Sequence, residues 1–289
     1  MRYTIARFNK DFPNEDSCLK FLFDSKQLKA CPSCGTEPRF YKIKGRKCYS
    51  CMHCALHIYP TAGTIFNKSE TPLKSWFFAI FLFGNSKNGV SAKELERHLG
   101  VTYKTAWRIA RQIRLLMAGD NNPLSGIVEV DETYIGGKSD SAGRFKDKTA
   151  VIGMAEKAKG TSRVKAITSQ KVNAAVALPF IRASIKAGTQ VQTDESRIYS
   201  RLHQEYPHSS VIHSKGQYVD GDTHTNTIEG FWSQMKRSID GTYHCVSPKH
   251  LQLYVDEFVY RYNLRNAPVF PVLIAQACLP VVGVGESRV

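Results

Sequence analysis

The sequence lacks any apolar run long enough to cross a membrane. Its most apolar stretch, WFFAIFLF at residues 76–83, is far shorter than the roughly 20 residues that a bilayer-spanning helix needs. The opening residues, MRYTIARFNKDF, contain no apolar segment of the kind found in secretory signal peptides. These absences exclude a membrane-embedded protein and predict a cytoplasmic one.

Acidic residues are also scarce relative to basic ones. The 289 residues, enough for two or three domains, include 40 lysines and arginines against 25 aspartates and glutamates, a net charge of +15. The excess is concentrated in residues 1–120, where 20 basic residues oppose 9 acidic ones and leave a net charge of +11. Such a distribution predicts a polyanionic partner, with nucleic acid first and an anionic membrane surface second.

Five of the eight cysteines lie within residues 31–54. The pairs CPSC and CMHC have the spacing of a tetrahedral zinc site with four ligands: Cys31, Cys34, Cys51 and Cys54. Cys48 also forms a CxxC spacing with Cys51, so an exchange of ligands stays open. Because a closed four-thiolate site has no free coordination position, we expect a structural zinc ribbon over residues 1–66, with reduced cysteines.

Residues 67–120 have the pattern of a helix-turn-helix DNA-binding domain. SAKE at residues 91–94 is a capping box that begins a helix, Gly100 ends it, and Thr102 begins the next helix. Apolar residues at core spacing leave a polar and basic set facing outward: Tyr103, Lys104, Thr105, Arg108 and Arg111. Such groups can contact bases and phosphates in a DNA groove, although many helical hairpins bind no DNA.

Residues 121–270 alternate between strand and helix patterns. Strands are predicted at residues 127–135, 149–155, 163–170, 189–193 and 211–213. A helix is predicted at residues 173–187, where Pro179 is expected to produce a kink or a break. Three antiparallel-looking strands followed by helix, strand, helix, strand and helix indicate a mixed α/β fold of the ribonuclease-H-like type. Residues 271–289 are expected to form a C-terminal tail.

Three carboxylates occupy positions that this fold brings to one side of the sheet. Asp131 lies in the first strand, Asp194 ends the fourth, and Glu229 lies on the helix after the fifth. Converging carboxylates favour two Mg²⁺ or Mn²⁺ ions, which can activate a water or a 3′-hydroxyl for phosphoryl transfer. Lys236, two helical turns or roughly 10 Å beyond Glu229, is suited to a DNA phosphate. Lys138, in a glycine-rich turn, is expected near DNA.

Together these motifs resemble a bacterial insertion-sequence transposase of the DDE type, from the zinc-ribbon group related to the ISXO elements. The resemblance rests on the two cysteine pairs and on five segments in order, and it covers roughly residues 25–275. The segments are TAGTIF at 61–66, VDETYIGGK at 130–138, TDE at 193–195, HTNTIEGFW at 224–232 with Lys236, and YRYNLR at 260–265.

The resemblance implies an enzyme that binds the terminal inverted repeats of an insertion sequence, cleaves the DNA ends and joins the 3′-hydroxyl to target DNA. It assigns magnesium binding to Asp131, Asp194 and Glu229, with Lys236 as the accompanying basic residue. Because some relatives use an asparagine, Asn226 stays an alternative to Glu229. The resemblance further implies two Mg²⁺ ions per active site, a structural zinc, double-stranded DNA as the partner, a homo-oligomer assembled on DNA, and a place at the bacterial nucleoid.

Two other functions stay open from the sequence. One is a non-catalytic, sequence-specific DNA-binding protein, either a decayed transposase or a regulator. The other is a nuclease on the same ribonuclease-H-like fold. The intact carboxylates argue against decay, and the zinc ribbon with the helix-turn-helix pattern argues for a site-specific reader of DNA.

Overall fold

A computed structural model describes residues 3–119, 122–137, 148–158, 161–194, 196–210 and 225–280. Within these ranges no helix has the length and apolar character needed to span a membrane. The helices, in chain order, are α1 Ile5–Asp11, α2 Glu15–Asp24, α3 Leu73–Asn85, α4 Ala92–Leu99, α5 Tyr103–Met117, α6 Ala174–Ser184, α7 Asn226–Ser238, α8 Pro248–Asn263 and α9 Val269–Ala277. The strands are β1 Phe40–Lys42, β2 Tyr49–Cys51, β3 His57–Ile58, β4 Ile127–Ile135, β5 Thr149–Glu156, β6 Val164–Ser169, β7 Gln190–Thr193 and β8 His208–Ser210.

The chain divides into two compact units. The first contains residues 1–86, 90–116 and 267–289, and the second contains residues 87–89 and 117–266. Strands β1–β3, the cysteine pairs beside them and helices α1–α5 as far as Leu116 therefore belong to one unit. Helix α9, which includes residues 271–277 of the predicted C-terminal tail, belongs to that unit as well.

The core of the first unit is rich in phenylalanine. Helix α3 is apolar on most faces. Its Phe77 packs with Phe12, and its Phe81 packs with Phe270 of α9, at ring-centroid distances of 4.9 and 5.7 Å. A Cβ at Gly84 would lie 2.8 Å from backbone atoms of Phe270, so only glycine permits this approach of α3 to α9. The burial of these rings supplies much of the stabilising free energy of the unit.

Helices α4 and α5 are joined by a short turn. The Ser91 side chain accepts a hydrogen bond from the Glu94 backbone N–H at 3.1 Å and caps the start of α4. Gly100 ends α4 in the left-handed conformation, with φ of 64°. Ala106, Ile109 and Ile113 of α5 are fully buried, as their spacing predicts.

The second unit is built on a five-stranded sheet in the order β6–β5–β4–β7–β8. Strands β4, β5 and β6 are antiparallel neighbours, whereas β7 pairs in parallel with both β4 and β8. Alternate residues of β4 and β5 enter two separate cores, one beneath α6 and the other beneath α7 and α8. The predicted mixed α/β class is confirmed.

Two predicted elements of this unit differ in detail. Helix α6 continues through Pro179, because this proline lies on the exposed face and water can solvate the backbone carbonyl that it leaves without a donor. The fifth strand of the sheet lies at His208–Ser210. The segment predicted for it, residues 211–213, lies outside the described residues.

Candidate functional site

Asp131 and Asp194 lie at equivalent positions of adjacent parallel strands. Val130 of β4 pairs with Thr193 of β7, so the next residue of each strand is one of the two aspartates. Neighbouring strands are about 4.8 Å apart, and residues at equivalent register positions project from the same face. The structure therefore brings these two predicted carboxylates together.

The Asp131 carboxylate is largely buried and is oriented by Trp232. The indole Nε1–H of Trp232 donates to Asp131 Oδ2 at 3.0 Å. Burial raises the pKa of Asp131 from 3.8 to about 7, and the neighbouring charges of Glu132 and Asp194 add to this rise. A proton or a cation at this carboxylate relieves the cost of burying its charge.

The contact between the Trp232 indole and Asp131 depends on Gly153. This residue of β5 pairs directly with Asp131, and a Cβ placed there would lie 2.4 Å from the indole ring of Trp232. The absence of a side chain at Gly153 thus lets the indole cross β5 and reach the aspartate on β4.

Asp194 is held by the turn that follows β7. The Ser196 backbone N–H donates to Asp194 Oδ1 at 3.1 Å, and the Thr193 hydroxyl donates to the Asp194 carbonyl oxygen at 2.7 Å. These contacts fix the carboxylate beside Asp131, in the middle of β4.

The Glu132 side chain projects from the face of the sheet opposite to Asp131, as the alternation of side chains along a strand predicts. Its Oε2 accepts a hydrogen bond from the buried Tyr199 hydroxyl at 2.6 Å. Burial raises the pKa of Glu132, and the charge of Asp194 raises it further. Burial also raises the pKa of the Tyr199 hydroxyl above its ordinary value, which keeps this hydroxyl a donor.

The start of α7 is fixed by a second buried carboxylate, Glu129 of β4. Its oxygens accept hydrogen bonds from the backbone N–H groups of Thr227 and Ile228 at 2.8 and 2.9 Å, and from the Thr227 hydroxyl at 2.8 Å. A carboxylate at a helix N-terminus satisfies unpaired N–H groups and complements the helix dipole. Glu129 therefore sets where the first turn of α7 lies relative to Asp131.

Asn226 and Glu229 both occupy that first turn and are exposed. The Glu229 carboxylate accepts a hydrogen bond from the Thr225 hydroxyl at 2.7 Å. Among the described residues, no group of three carboxylates has oxygen atoms all within 4.8 Å of one another. The structure thus pairs Asp131 with Asp194, and does not gather Glu229 with them at that distance.

Lys236 lies near the end of α7 and lines a cavity at the end of β4. The cavity has a volume of about 420 Å³, and its walls include Gly136, Gly137 and Lys148. Lys138, predicted to approach DNA, lies outside the described residues.

The four predicted zinc ligands form one cluster. Cys31, Cys34, Cys51 and Cys54 have sulfur atoms that all lie within 4.8 Å of one another. The Cys31–Cys54 and Cys34–Cys51 sulfur pairs are 3.7 and 3.9 Å apart. A tetrahedral site with Zn–S bonds of about 2.3 Å has sulfur–sulfur edges of about 3.8 Å, so the donor set fits zinc. Cys48 is not part of this cluster.

The two cysteine turns share one backbone pattern. Gly35 and Ala55, each following the second cysteine of a pair, have φ values of 69° and 58° and donate N–H bonds to the carbonyl oxygens of Cys31 and Cys51. Hydrogen bonds from Thr36 lower the pKa of the Cys34 thiol to about 6, which favours the thiolate that zinc binds.

The residues predicted to face DNA lie on the outer side of α5. Tyr103, Lys104 and Arg108 are exposed, and Thr105 and Arg111 are half-buried. The Lys93 ammonium lies 5.1 Å from the centre of the Tyr103 ring. Polar and basic side chains are thus presented together at the start of this helix.

Comparison with known proteins agrees with this arrangement. Residues 123–263 match the family model of the ISXO2-like transposase domain. The match places Asp131, Asp194 and Glu229 within a domain of the insertion-sequence transposase class and confirms the resemblance to that group. This part of the chain is therefore similar to insertion-sequence transposases.

Relatives extend over more of the chain. A protein of Halobacterium salinarum described as an uncharacterized protein in transposable element ISH50 is 27% identical over 262 residues, 82% of this chain and 86% of its own length. An uncharacterized transposase-like protein of Haemophilus influenzae is 29% identical over 102 residues, 35% of this chain and 81% of its own.

A solved structure was also matched, a chain of the simian T-cell lymphotropic virus intasome in complex with PP2A regulatory subunit B56 gamma. The identity is 12% and the TM-score is 0.32, over 58% of this chain and 63% of that chain. The match thus spans less than two thirds of that chain.

Proposed function

We propose that this protein is a metal-dependent DNA transposase. It binds the terminal inverted repeats of an insertion sequence, cleaves the DNA ends and joins the 3′-hydroxyl to target DNA. The observation that carries the proposal is the pairing of Asp131 and Asp194 on adjacent parallel strands, within residues that match a transposase domain. Two carboxylates at strand spacing repel each other unless a cation lies between them.

The sheet order supports a ribonuclease-H-like assignment. Three antiparallel strands, β4 to β6, are followed by β7 and β8 on the other side of β4 and parallel to it. This order puts the middle of β4 beside the end of β7 at the centre of the sheet, where Glu129 of β4 contacts the first turn of α7.

Asp131 and Asp194 would hold the divalent ions together with a group from the first turn of α7. Glu229 is the better candidate than Asn226, because a carboxylate is the harder ligand for Mg²⁺. Two Mg²⁺ ions held there would supply the activation of the attacking water or 3′-hydroxyl and would neutralise charge on the leaving oxygen. The chain itself supplies orientation: Trp232 holds Asp131, the Ser196 N–H holds Asp194, and Lys236 meets a phosphate farther along the DNA strand.

DNA recognition is assigned to α4 and α5, which we propose form a helix-turn-helix. The exposed residues at the start of α5 read the inverted repeat, and the net charge of +11 over residues 1–120 supplies affinity for phosphates. The cysteine cluster holds a structural zinc. Joining two ends in one event favours a homo-oligomer with one protomer on each end.

One assay separates this function from the other two. The protein is incubated with DNA carrying the element's end sequence, a target plasmid and Mg²⁺, beside Asp194→Asn and a matched control, Asp24→Asn, at an exposed position of α2. We expect cleaved and joined products from the wild type and the control, and a loss of at least about a hundredfold in Asp194→Asn.

The other outcomes contradict the proposal in different ways. Cleavage without joining favours a nuclease, and binding without cleavage in any sample favours a non-catalytic DNA-binding protein. Full activity in Asp194→Asn refutes the assignment of the site.

A further inference from the structure

The small sheet formed by β1, β2 and β3 has one face packed in the core of the first unit. Phe23 of α2 stacks on Tyr49 of β2 at a ring-centroid distance of 4.0 Å and meets Phe40 of β1 at 5.4 Å. The Lys42 ammonium, on the same face of β1 as Phe40, pairs with Asp16 of α2 at 2.6 Å. Because side chains alternate along a strand, the residues between these project from the other face of the sheet.

That other face, which we call the outer face, presents exposed rings on both sides of a small residue. Tyr41 of β1 and His57 of β3 both pair with Ser50 of β2, so the three residues form one row across the sheet. Tyr41 is 52% exposed and His57 is exposed, whereas the small Ser50 side chain between them is buried. Tyr41 and His57 are two strands apart, which is about 10 Å. The row therefore offers two separate ring surfaces.

Exposed apolar area is concentrated in this part of the chain. Among the described residues six large apolar side chains are exposed, and three of them lie in or beside this sheet: Tyr41, Met52 and Tyr59. Met52 follows β2, and Tyr59 follows β3. Contiguous exposed apolar groups rimmed by polar ones are typical of interaction surfaces.

The charge around the outer face is of one sign. Residues 38–69 include six lysines and arginines and no aspartate or glutamate. Three of these cations, Lys44, Arg46 and Lys47, are exposed in the turn that joins β1 to β2. Lys44 follows Tyr41 by three residues, about 10 Å, so a chain lying on the Tyr41 ring has its charged groups within reach of the turn. Such a surface attracts a polyanion.

Cations beside exposed rings suit a polyanion that carries flat groups, which is the chemistry of a nucleic acid strand. In a duplex the faces of the bases are covered by neighbouring base pairs, and only groove edges and phosphates are accessible. Unpaired bases have free faces, and aromatic rings on a small sheet stack with them largely independently of sequence. The exposed rings thus favour an unpaired strand over a duplex.

We propose that the outer face binds single-stranded DNA. Tyr41 and His57 stack on two different unpaired bases, and the turn between β1 and β2 contacts the phosphates. This site is separate from α4 and α5, to which recognition of duplex DNA is assigned. The inference rests on the proposed function for the choice of DNA over RNA.

The test uses the full zinc-loaded chain in magnesium-free buffer. Fluorescence anisotropy gives the Kd for a labelled oligothymidine of about 15 nucleotides, for an oligouridine and for a duplex of equal length. Tyr41→Ala should raise the Kd for oligothymidine at least about fivefold and leave the Kd for the duplex unchanged. Tyr41→Phe keeps the ring and should bind like the wild type. Equal zinc content in all variants shows that the cysteine turns are intact.

A charge variant tests the phosphate contact. Lys47→Ala should raise the Kd for oligothymidine and reduce by about 0.7 the slope of the logarithm of the binding constant against the logarithm of salt concentration. Lys186→Ala is the matched control, because it removes an equal charge at an exposed position of the second unit. It should change neither the Kd nor the slope.

Each other result overturns the proposal. An unchanged Kd for oligothymidine in Tyr41→Ala excludes stacking, and an equal loss for the duplex shows that unpaired bases are not what the face binds. Tighter binding of oligouridine than of oligothymidine contradicts the choice of DNA. Tyr41-dependent binding of the single strand without cleavage of DNA ends defeats the proposed function alone. Cleavage and joining of ends with single-strand binding that does not depend on Tyr41 defeats this inference alone.

Discussion

Replacing Asp131 by Asn should change how the stability of the metal-free protein depends on pH. The pKa of Asp131 in the folded chain is about 7, against 3.8 for the ordinary carboxyl, because burial disfavours its charged form. Between about pH 4 and pH 7 the unfolded chain releases this proton while the folded chain keeps it, so stability falls as pH rises through that window. Above pH 7 both forms are ionised and the loss is constant. Each pKa unit corresponds to about 1.4 kcal/mol, so the full loss is on the order of 4 kcal/mol.

Urea unfolding of the second unit in magnesium-free buffer, at about pH 5 and about pH 8, measures the effect. We expect the wild type to lose about 2–3 kcal/mol more than Asp131→Asn over that interval. Asparagine keeps a carbonyl oxygen for the Trp232 indole, so the fold should be retained. The control Asp240→Asn, at an exposed carboxyl, should follow the wild type.

The Trp232 indole reports the protonation of the Asp131 carboxyl directly. Its indole Nε1–H donates to Asp131, so its NMR resonance should titrate with a midpoint near 7 and should be flat in Asp131→Asn. A midpoint near 4, or equal pH dependence of stability in the two proteins, would refute the assignment of a buried, charge-strained carboxylate. Added Mg²⁺ should lower the midpoint.

Three further substitutions test the supports of the site. Gly153→Ala places a Cβ 2.4 Å from the Trp232 ring. We therefore expect the free energy of unfolding in urea to fall by about 1–3 kcal/mol and the Trp232 indole resonance to shift. An unchanged resonance would show that the contact is not tight. Glu129→Gln keeps the shape of the side chain but removes the charge that caps α7. It should lower the free energy of unfolding by about 1–3 kcal/mol and speed hydrogen exchange at the Thr227 amide. Unaltered exchange would contradict the capping role. Ala55 has a left-handed backbone conformation, which glycine adopts without strain. Ala55→Gly should therefore stabilise the cysteine turns by about 1 kcal/mol, measured as slower zinc release to a chelator. Faster release would contradict the shared turn geometry.

Local sequence patterns predicted the strand, the cysteine turns and the helix that carry candidate functional residues. The alternation of apolar and polar residues in IVEVDETYI predicted β4 with its observed limits, Ile127–Ile135. The CxxC spacing predicted the ligand cluster, since each pair forms a tight turn that acts almost independently of the rest of the chain. The capping residues Ser91 and Gly100 likewise predicted the limits of α4.

Long-range contacts could not be predicted in this way. Glu129 has the appearance of an outward residue of an alternating strand, yet it is fully buried, because it satisfies N–H groups of a helix 98 residues away. The hydrogen bond from the Trp232 indole to Asp131 also joins residues far apart in the chain, and it depends on the glycine at position 153. The useful signal in retrospect is spacing: Trp232 follows Glu229 by one helical turn, and Glu129 precedes Asp131 by two residues on the same face.

The central claim is that Asp131 and Asp194 bind the divalent ions that drive DNA strand transfer. It is tested most directly by Asp194→Cys in the joining assay, with Mg²⁺ and Mn²⁺ compared at equal concentration. A thiolate binds Mn²⁺ better than Mg²⁺, so we predict that the variant is inactive with Mg²⁺ and regains at least about tenfold activity with Mn²⁺. Activity that is unimpaired with Mg²⁺, or that does not differ between the two ions, would contradict the claim.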